Sequence, residues 1–329
     1  MNVAILGNGG FGSALAIVLG RDHRVRLWGH DRAYTQEVAR TRHNPRYLSR
    51  ATLPESIVVT TEFDEVFAGA EVILAAVPTQ HVRAVAQQAA PRMSSDVPIV
   101  SLAKGLEQLS GRRPSEVLVE VCGGTREVLV LSGPSHAEEL ALGLPATVVL
   151  AGGDVACLER LQSELSGPAL RIYRNSDVLG VELCGALKNV MALAAGIADG
   201  LGFGDNAKAA VLARGLVEMA RYGEVEGARR ETFYGLAGVG DLAVTAFSRH
   251  GRNRAFGERI GRGEAMADIL ASSPKVVEGV WTARAVRERS RSLGIEMPLC
   301  EAVCDVLYDG AAPRSAVSAL MTRDPKEEA

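Results

Sequence analysis

Short apolar runs alternate with longer amphipathic stretches through the first half of the chain. Several runs are apolar throughout and rich in β-branched residues, which is typical of strands covered on both faces. The stretches between them have the length of helices. We therefore predict βαβ units and an α/β fold, with a Rossmann-like, doubly wound, mainly parallel sheet. The predicted strands are residues 2–6, 25–28, 57–60, 72–76, 99–103, 128–131, 147–150 and 170–173.

The pattern changes close to residue 176, where strand signals give way to helical periodicity and glycine-rich turns. The predicted helices there are residues 178–198, 207–221, 282–293 and 298–308. We therefore place a dinucleotide-binding domain at residues 1–178 and an all-helical domain for substrate binding and dimerisation at residues 179–329.

Composition narrows the class of protein. The 329 residues are 47% hydrophobic and carry a net charge of −3, which disfavours nucleic acid or an acidic membrane surface as a partner. The five cysteines show no metal-binding spacing. No apolar stretch suggests a membrane span. We expect a cytoplasmic protein that acts on a small molecule and holds no metal.

A glycine-rich segment follows the first predicted strand at once and opens a helix. In Gly7-Asn8-Gly9-Gly10-Phe11-Gly12, the first glycine allows a tight turn and Gly9 allows a pyrophosphate to approach the backbone. Gly12 allows the helix to pack close to the strand. This G-x-G-x-x-G pattern predicts a dinucleotide site, and the alternative is a purely structural turn.

Ligands of open α/β sheets bind beyond the carboxyl ends of the strands. Lys104 follows the fifth predicted strand, where a cation would face a ligand or simply meet solvent. Gly133 and Ser135 follow the sixth, and their N–H groups would suit an anion. Ser135 could equally serve only as a helix N-cap.

Lys188 is the only charged residue between Leu183 and Ala198, and no carboxylate lies three or four positions from it. Burial in such a helix would lower its pKa toward neutrality, especially near another cation such as Lys104. A lysine of that kind can exchange protons at neutral pH. The alternative is a side chain that reaches solvent along the helix surface.

Two further groups lie in the helical half. Asp241 is a lone acid in an apolar, glycine-rich stretch, either as a helix N-cap or as an active-site carboxylate. Arg252 and Asn253 form a polar loop that suits a phosphate, although solvated basic loops are also common.

These pieces, in this order, resemble the bacterial-type NAD(P)-dependent glycerol-3-phosphate dehydrogenase family. The matching segments cover nearly the whole chain and are residues 7–12, 27–31, 103–107, 132–135, 185–190, 238–242, 252–254 and 276–279. The resemblance implies hydride transfer between NAD(P)H and dihydroxyacetone phosphate to give sn-glycerol 3-phosphate, a phospholipid precursor, in a cytoplasmic homodimer. The alternatives are another two-domain hydroxy-acid or sugar-acid dehydrogenase and a non-catalytic dinucleotide sensor.

The resemblance also implies residue roles. Lys188 would exchange the proton at the carbinol oxygen, with Lys104 and Asp241 beside it as catalytic residues. The substrate would contact Lys104, Gly133, Ser135, Lys188, Asp241, Gly251, Arg252 and Asn253. The cofactor would contact Gly7, Gly9, Gly10, Phe11, Gly12, His30, Arg32, Lys104, Ala137, Arg252, Val276 and Glu278.

Two positions leave the chemistry open. Members of this family carry serine or threonine where this chain has Gly251, so we expect Gly251→Ser to tighten substrate binding. An acid after the second strand favours NAD, and basic residues favour the 2′-phosphate of NADP. The segment His30-Asp31-Arg32 offers both. We expect NADP to be preferred over NAD, with Asp31 turned away or paired with Arg32.

Overall fold

The computed structural model describes residues 1–108, 110–248, 251–272, 276–325 and 327. The described strands are β1 Asn2–Leu6, β2 Arg24–Trp28, β3 His43–Asn44, β4 Leu48–Thr52, β5 Val58–Thr60, β6 Val72–Ala75, β7 Ile99–Ser101, β8 Val128–Ser132, β9 Ala146–Ala151 and β10 Leu170–Asn175. The described α-helices of the first half are α1 Gly10–Leu19, α2 Arg32–Thr41, α3 Phe63–Phe67, α4 Val82–Ala89, α5 Pro114–Cys122, α6 Ala137–Ala141 and α7 Val155–Leu165.

The described helices of the second half follow without strands between them. They are α8 Val178–Gly200, α9 Gly204–Glu226, α10 Arg230–Phe233, α11 Asp241–Phe247, α12 Arg252–Gly261, α13 Met266–Ser272, α14 Glu278–Leu293, α15 Pro298–Tyr308 and α16 Pro313–Met321. A π-helical turn at Leu236–Gly240 leads directly into α11.

An eight-stranded sheet of order β10-β9-β8-β7-β6-β1-β2-β5 organises the described part of the first half. All neighbours pair in parallel except β8 and β9, which are antiparallel. The predicted fold class is confirmed, and each predicted strand lies within one or two residues of an observed one. The strand β1 is flanked by β2 and β6, so the chain winds outward in both directions from it.

The sequence did not predict the hairpin of β3 and β4, a separate two-stranded sheet. Its strands are short, and β4 is largely exposed apart from Leu48, so no apolar run marks them. Asn44 of β3 is nevertheless fully buried. The hairpin therefore carries a polar side chain into the interior of the first half.

The chain forms two compact units. The first comprises Met1–Lys104 and Arg112–Glu182, and the second comprises Gly105–Gly111 and Leu183–Ala329. The sequence predicts a first domain of residues 1–178, so it does not predict that the short segment Gly105–Gly111 belongs to the second, helical unit.

Helix α8 is long and apolar enough to cross a membrane by length and composition. Its apolar sequence is nevertheless interrupted by Glu182, Lys188 and Asp199. In addition, 89% of its most apolar window is buried inside the protein, which identifies α8 as a core helix.

Candidate active site

The glycines of residues 7–12, which we call the dinucleotide seat, each have a distinct steric environment. Gly7 has φ +112°, and a Cβ there would lie 2.6 Å from the carbonyl oxygen of Ala76. A Cβ on Gly12 would lie 2.0 Å from the Gly7 oxygen, so α1 can pack here only with glycine. Nothing lies within 4 Å of a Cβ built on Gly9. The seat therefore has no room for side chains at Gly7 and Gly12, whereas the space beside Gly9 is open, as a bound pyrophosphate requires.

Buried polar side chains hold the dinucleotide seat from below. Nδ2 of Asn44 donates to the Asn8 oxygen and to Oγ of Ser13, each at 2.8 Å. The hydroxyl of Tyr34 donates to Oδ1 of Asn44 at 2.6 Å. The hairpin thus fixes the conformation of the glycine loop, a role that no local pattern around Asn44 indicated.

The end of β2 carries exposed His30 and Arg32 on either side of Asp31. Asp31 caps α2 by accepting the Tyr34 N–H at 3.0 Å, and it pairs with Arg46 at 3.2 Å. The Tyr34 N–H, and after it the Arg46 guanidinium, hold the pKa of the Asp31 carboxyl below its usual range. The expected pairing of Asp31 with Arg32 is wrong, because Arg32 instead lies 3.9 Å from Glu62.

The structure brings together the residues predicted after β7 and β8. Nζ of Lys104 donates to the Gly133 oxygen at 3.1 Å, and Oγ of Ser135 donates to the same oxygen at 3.0 Å. Gly133 has φ +138°, so this carbonyl is set by a turn that favours glycine. Ser135 does not cap α6, whose N-cap is His136.

The first residue of α6, Ala137, lies beside the dinucleotide seat. A Cβ built on Gly10 would lie 3.5 Å from the Ala137 Cβ, and Phe11 packs half-buried against the core on the same side of the sheet. Gly10, Phe11 and Ala137 therefore form one surface next to the open space above Gly9.

In the second unit, Lys188 is buried with 6% of the residue exposed. Its Nζ lies 2.6 Å from Oδ1 of Asp241 and 2.7 Å from Oγ1 of Thr245. The Thr245 hydroxyl donates to the Asp241 carbonyl at 2.6 Å, so it accepts from the ammonium. We call Lys188, Asp241 and Thr245 the lysine cluster.

The lysine cluster confirms one expectation and corrects another. The burial of Lys188 agrees with its apolar sequence context, but the lack of a carboxylate at helical spacing does not leave it without a partnering acid. Asp241 lies 53 positions away, beyond the reach of the i±3 and i±4 test. It is the first residue of α11 and uses its carboxylate for the ion pair, not to cap the helix.

The residue after Lys188 connects α8 to α12 and α14. Oδ1 of Asn189 accepts from Nδ2 of Asn253 at 2.9 Å, and Oδ1 of Asn253 accepts the Gly279 N–H at 3.0 Å. A Cβ on Gly279 would lie 2.6 Å from the Asn189 backbone oxygen, so the backbones of α8 and α14 approach each other closely at this point. These contacts bring Asn253 to the turn of α8 that carries Lys188.

Arg252, Val276 and Glu278 meet at the start of α12 and α14. Arg252 is exposed and donates to the Val276 oxygen at 3.1 Å. Glu278 is buried at the first turn of α14. Arg252 therefore lies beside Val276, 24 positions further along the chain, and Glu278 follows Val276 by two residues.

Four glycines allow α8 and α12 to touch along their backbones. Gly196 and Gly200 of α8 face Gly257 and Gly261 of α12, and a Cβ on Gly257 would lie 2.2 Å from the Leu193 oxygen. We call this contact the glycine seam. It places Asn253 one turn above the crossing, and the four-residue spacing of the glycines on both helices is visible in the sequence.

Gly251 is the buried N-cap residue of α12. A Cβ there would lie 2.7 Å from the Thr245 oxygen and 3.3 Å from the Ser248 oxygen. The nearest atoms are carbonyl oxygens that cannot rotate away, so local packing opposes the tighter substrate binding expected of Gly251→Ser.

A glycine cradle at the carboxyl edge of a parallel sheet, together with a buried lysine in a helical unit, defines a class of two-domain nicotinamide-dependent oxidoreductase. The comparisons with known proteins narrow that class. Residues 2–157 match the N-terminal family model of NAD-dependent glycerol-3-phosphate dehydrogenase, and residues 177–318 match the C-terminal one.

Individual relatives agree over the whole chain. The chain is 43% identical to glycerol-3-phosphate dehydrogenase [NAD(P)+] of Chlorobium limicola, covering 100% of this chain and 99% of the relative. It is 44% identical to the enzyme of the same name from Geobacillus thermodenitrificans, with 99% and 96% covered. A crystal structure of glycerol-3-phosphate dehydrogenase from Coxiella burnetii superposes with a TM-score of 0.93 at 37% identity, covering 98% and 99%.

The chain belongs to the NAD-dependent glycerol-3-phosphate dehydrogenase family. It is an oxidoreductase of the NAD(P)-dependent kind, as the resemblance implied. A hydroxy-acid dehydrogenase and a non-catalytic sensor are set aside by these matches.

Proposed function

We propose that this protein reduces dihydroxyacetone phosphate to sn-glycerol 3-phosphate with NAD(P)H, using Lys188 as the proton donor. The observation that carries the role of Lys188 is its burial in the lysine cluster, with Asp241 at 2.6 Å, in a chain of this family. Residues 1–178 would bind the dinucleotide, and residues 179–329 would supply the proton and bind the substrate.

When bound, a reduced nicotinamide would supply the hydride for the ketone carbon. Negative charge then builds on the ketone oxygen, and the Lys188 ammonium stabilises that charge before its proton passes to the oxygen. Asp241 and Thr245 fix the direction of the amine, and Lys188 takes up another proton before the next turnover.

The phosphate of the substrate is a binding group remote from the reacting carbon, so its contacts can orient that carbon. Arg252 is exposed at the start of α12, and Nδ2 of Asn253 carries two hydrogens, of which the bond to Asn189 uses one. We assign phosphate binding to these two side chains and to the backbone at Gly251. Lys104, Gly133 and Ser135 would complete the substrate contacts from the first unit.

For the cofactor, we assign the pyrophosphate to the dinucleotide seat and the adenosine ribose to His30 and Arg32. Lys104, Ala137, Arg252, Val276 and Glu278 would contact the remaining parts of the cofactor. NADPH would be preferred over NADH, because the Asp31 carboxylate is already occupied by Tyr34 and Arg46. A kcat/KM that clearly favours NADH would contradict that preference.

The decisive experiment follows NAD(P)H absorbance with dihydroxyacetone phosphate. Lys188→Ala should reduce kcat/KM about a hundredfold to ten-thousandfold, the usual contribution of a general acid. Because that change leaves the Asp241 carboxylate buried without the Lys188 ammonium, the matched control is Lys188→Met/Asp241→Asn, which removes both charges. The double variant should melt near the wild type and still be inactive. Activity of the double variant within tenfold of the wild type would overturn the role of Lys188.

We further propose a cytoplasmic homodimer that supplies glycerol 3-phosphate for phospholipid synthesis. The support for the dimer is the resemblance to the family, with the helical unit as its dimerisation region. Light scattering of the purified protein should give twice the mass of the 34.8 kDa chain. A monomeric mass across the working concentrations would exclude the dimer.

A further inference from the structure

Three basic residues and one acid gather at the carboxyl end of β2, close in the fold to the dinucleotide seat. An acid at this place in such folds accepts hydrogen bonds from the ribose hydroxyls of NAD, and a cation accommodates the 2′-phosphate of NADP. Which chemistry prevails depends on whether Asp31 or its basic neighbours His30, Arg32 and Arg46 are available to a ligand.

Both oxygens of Asp31 are engaged within the protein. Oδ1 accepts the Tyr34 N–H at 3.0 Å, which ties the carboxylate to the first turn of α2. Oδ2 lies 3.2 Å from Nη1 of Arg46. A ribose hydroxyl would therefore have to compete with a helix cap and with a charged partner for this carboxylate.

Arg46 is held in place by aromatic side chains. Its backbone N–H donates to the Tyr34 hydroxyl at 3.0 Å, and its guanidinium carbon lies 4.0 Å from the centre of the Tyr34 ring. The Tyr47 ring centre is 5.9 Å away. Stacking of this kind orients a guanidinium while leaving its edge for a ligand, and 43% of the Arg46 side chain is exposed.

Arg32, the other arginine of this group, is held less firmly. Its side chain is 74% exposed, and its ion pair with Glu62 spans 3.9 Å. An exposed pair at that distance orients a side chain weakly. Among Arg32 and Arg46, the second is therefore the preorganised cation.

We propose that Arg46 sets the cofactor preference of this protein, by occupying Asp31 and by presenting its guanidinium to the 2′-phosphate of NADP. A guanidinium matches a phosphate with two parallel N–H donors, so recognition and neutralisation come from one side chain. This inference rests on the proposed function, since it concerns the same cofactor, but its test does not need turnover.

The test measures binding of two cofactor fragments by isothermal titration calorimetry, adenosine 2′,5′-bisphosphate and adenosine 5′-monophosphate. Arg46→Gln should weaken binding of the first about tenfold to a hundredfold, the usual effect of losing a charged hydrogen bond. Binding of the second should stay within about threefold, because it lacks the 2′-phosphate. Arg46→Lys should recover part of the loss, since it restores the charge without the fork.

The matched control is Arg40→Gln, which removes an exposed arginine of α2 that pairs with Glu37. It should leave both fragments unchanged. Equal weakening of both fragments by Arg46→Gln would assign Arg46 a structural role and overturn the proposal. No weakening of either would overturn it as well.

Kinetics then separate this inference from the proposed function. With Arg46→Gln, the ratio of kcat/KM for NADPH to that for NADH should fall about tenfold or more. If the wild type does not reduce dihydroxyacetone phosphate with either cofactor, the proposed function fails and the fragment result still stands. If the wild type is active and the ratio does not move, only the role of Arg46 fails.

Discussion

The dinucleotide seat and the lysine cluster prepare for charged ligands by opposite means. The seat uses the backbone of consecutive residues, with open space above Gly9. The lysine cluster uses side chains 53 positions apart, and neither Lys188 nor Asp241 has more than 7% of its side chain exposed. A substitution in the seat therefore acts mainly on ligand binding, whereas one in the cluster acts on folding and chemistry together.

The largest expected effect tests this contrast with two aspartates, each paired to a cation. Asp241→Asn leaves the Lys188 ammonium buried without its carboxylate, which should cost about 3–5 kcal/mol of unfolding free energy. Asp31→Asn changes a side chain that is 36% exposed, and asparagine is an equally good helix N-cap. Scanning calorimetry should show a large fall in Tm for the first variant and almost none for the second.

Equal Tm values for the two aspartate variants would contradict the burial of the lysine cluster. In that case the ion pair of Lys188 would behave as a surface pair, and its role as a shielded proton donor would lose its physical basis.

Glu218 is a second buried acid in the helical unit, and it adds a pH dependence of stability to the contrast between buried and exposed acids. Glu218 accepts the N–H groups of Leu299 and Cys300 at the start of α15, and burial raises its pKa from 4.5 to about 7. A raised pKa means that the folded state holds the proton more tightly than the unfolded state. The resulting stability is complete below pH 4.5 and is lost as the pH rises through about 7.

Glu218→Gln should remove this pH dependence, because the amide stays neutral and keeps an acceptor for the Leu299 N–H. The Tm of the variant relative to the wild type should rise between about pH 5 and pH 8, by the equivalent of up to about 3 kcal/mol. Parallel Tm curves across that range would show that Glu218 is solvated and titrates normally.

The third expected effect is a change in stability on substitution in the glycine seam, and it is informative whether stability rises or falls. Alanine normally stabilises a helix by about 1 kcal/mol relative to glycine. In Gly257→Ala the new Cβ would lie 2.2 Å from the Leu193 oxygen, and such overpacking costs about 1–3 kcal/mol. We therefore expect a net loss of stability in urea unfolding, with a raised KM for dihydroxyacetone phosphate because α12 carries Asn253.

Gly167→Ala is the control for the seam, since nothing lies within 4 Å of a Cβ at that position. It should change neither stability nor KM. A gain of stability in Gly257→Ala would mean that α8 and α12 can separate without cost, and that the seam does not position Asn253.

The sheet was predictable from sequence because its signals are local. Strands such as Val72–Ala75 are buried at every position, so an apolar run between turns is sufficient to locate them. The hairpin of β3 and β4 has no such run, and Asn44 is buried by bonds to residues about 30 positions away. Its role under the dinucleotide seat therefore depended on contacts that the pattern of apolar residues does not encode.

The burial of Lys188 in the lysine cluster was predictable from local signals, but its partner was not. The apolar neighbours of Lys188 indicated burial, but its partner lies on another helix and cannot be found by spacing along α8. Thr245 could have been linked to Asp241, since four residues separate them on α11 and side chains at that spacing share a face. The pairing of Asp31 was missed because Arg46 reaches it from the unpredicted hairpin segment.

The smallest expected effect concerns Gly251→Ser, where comparison with the family and local packing point in opposite directions. A serine hydroxyl would add a donor for the substrate phosphate, but its Cβ would lie 2.7 Å from the Thr245 oxygen. Thr245 also contacts Lys188, so a shift of that backbone disturbs the lysine cluster. Strain of about 1 kcal/mol would raise KM for dihydroxyacetone phosphate about fivefold.

Gly251→Ala adds the same Cβ without the hydroxyl, so a lower KM for serine than for alanine would isolate the contribution of the hydroxyl. A KM for Gly251→Ser below that of the wild type would show that the backbone at Thr245 and Gly251 separates without cost.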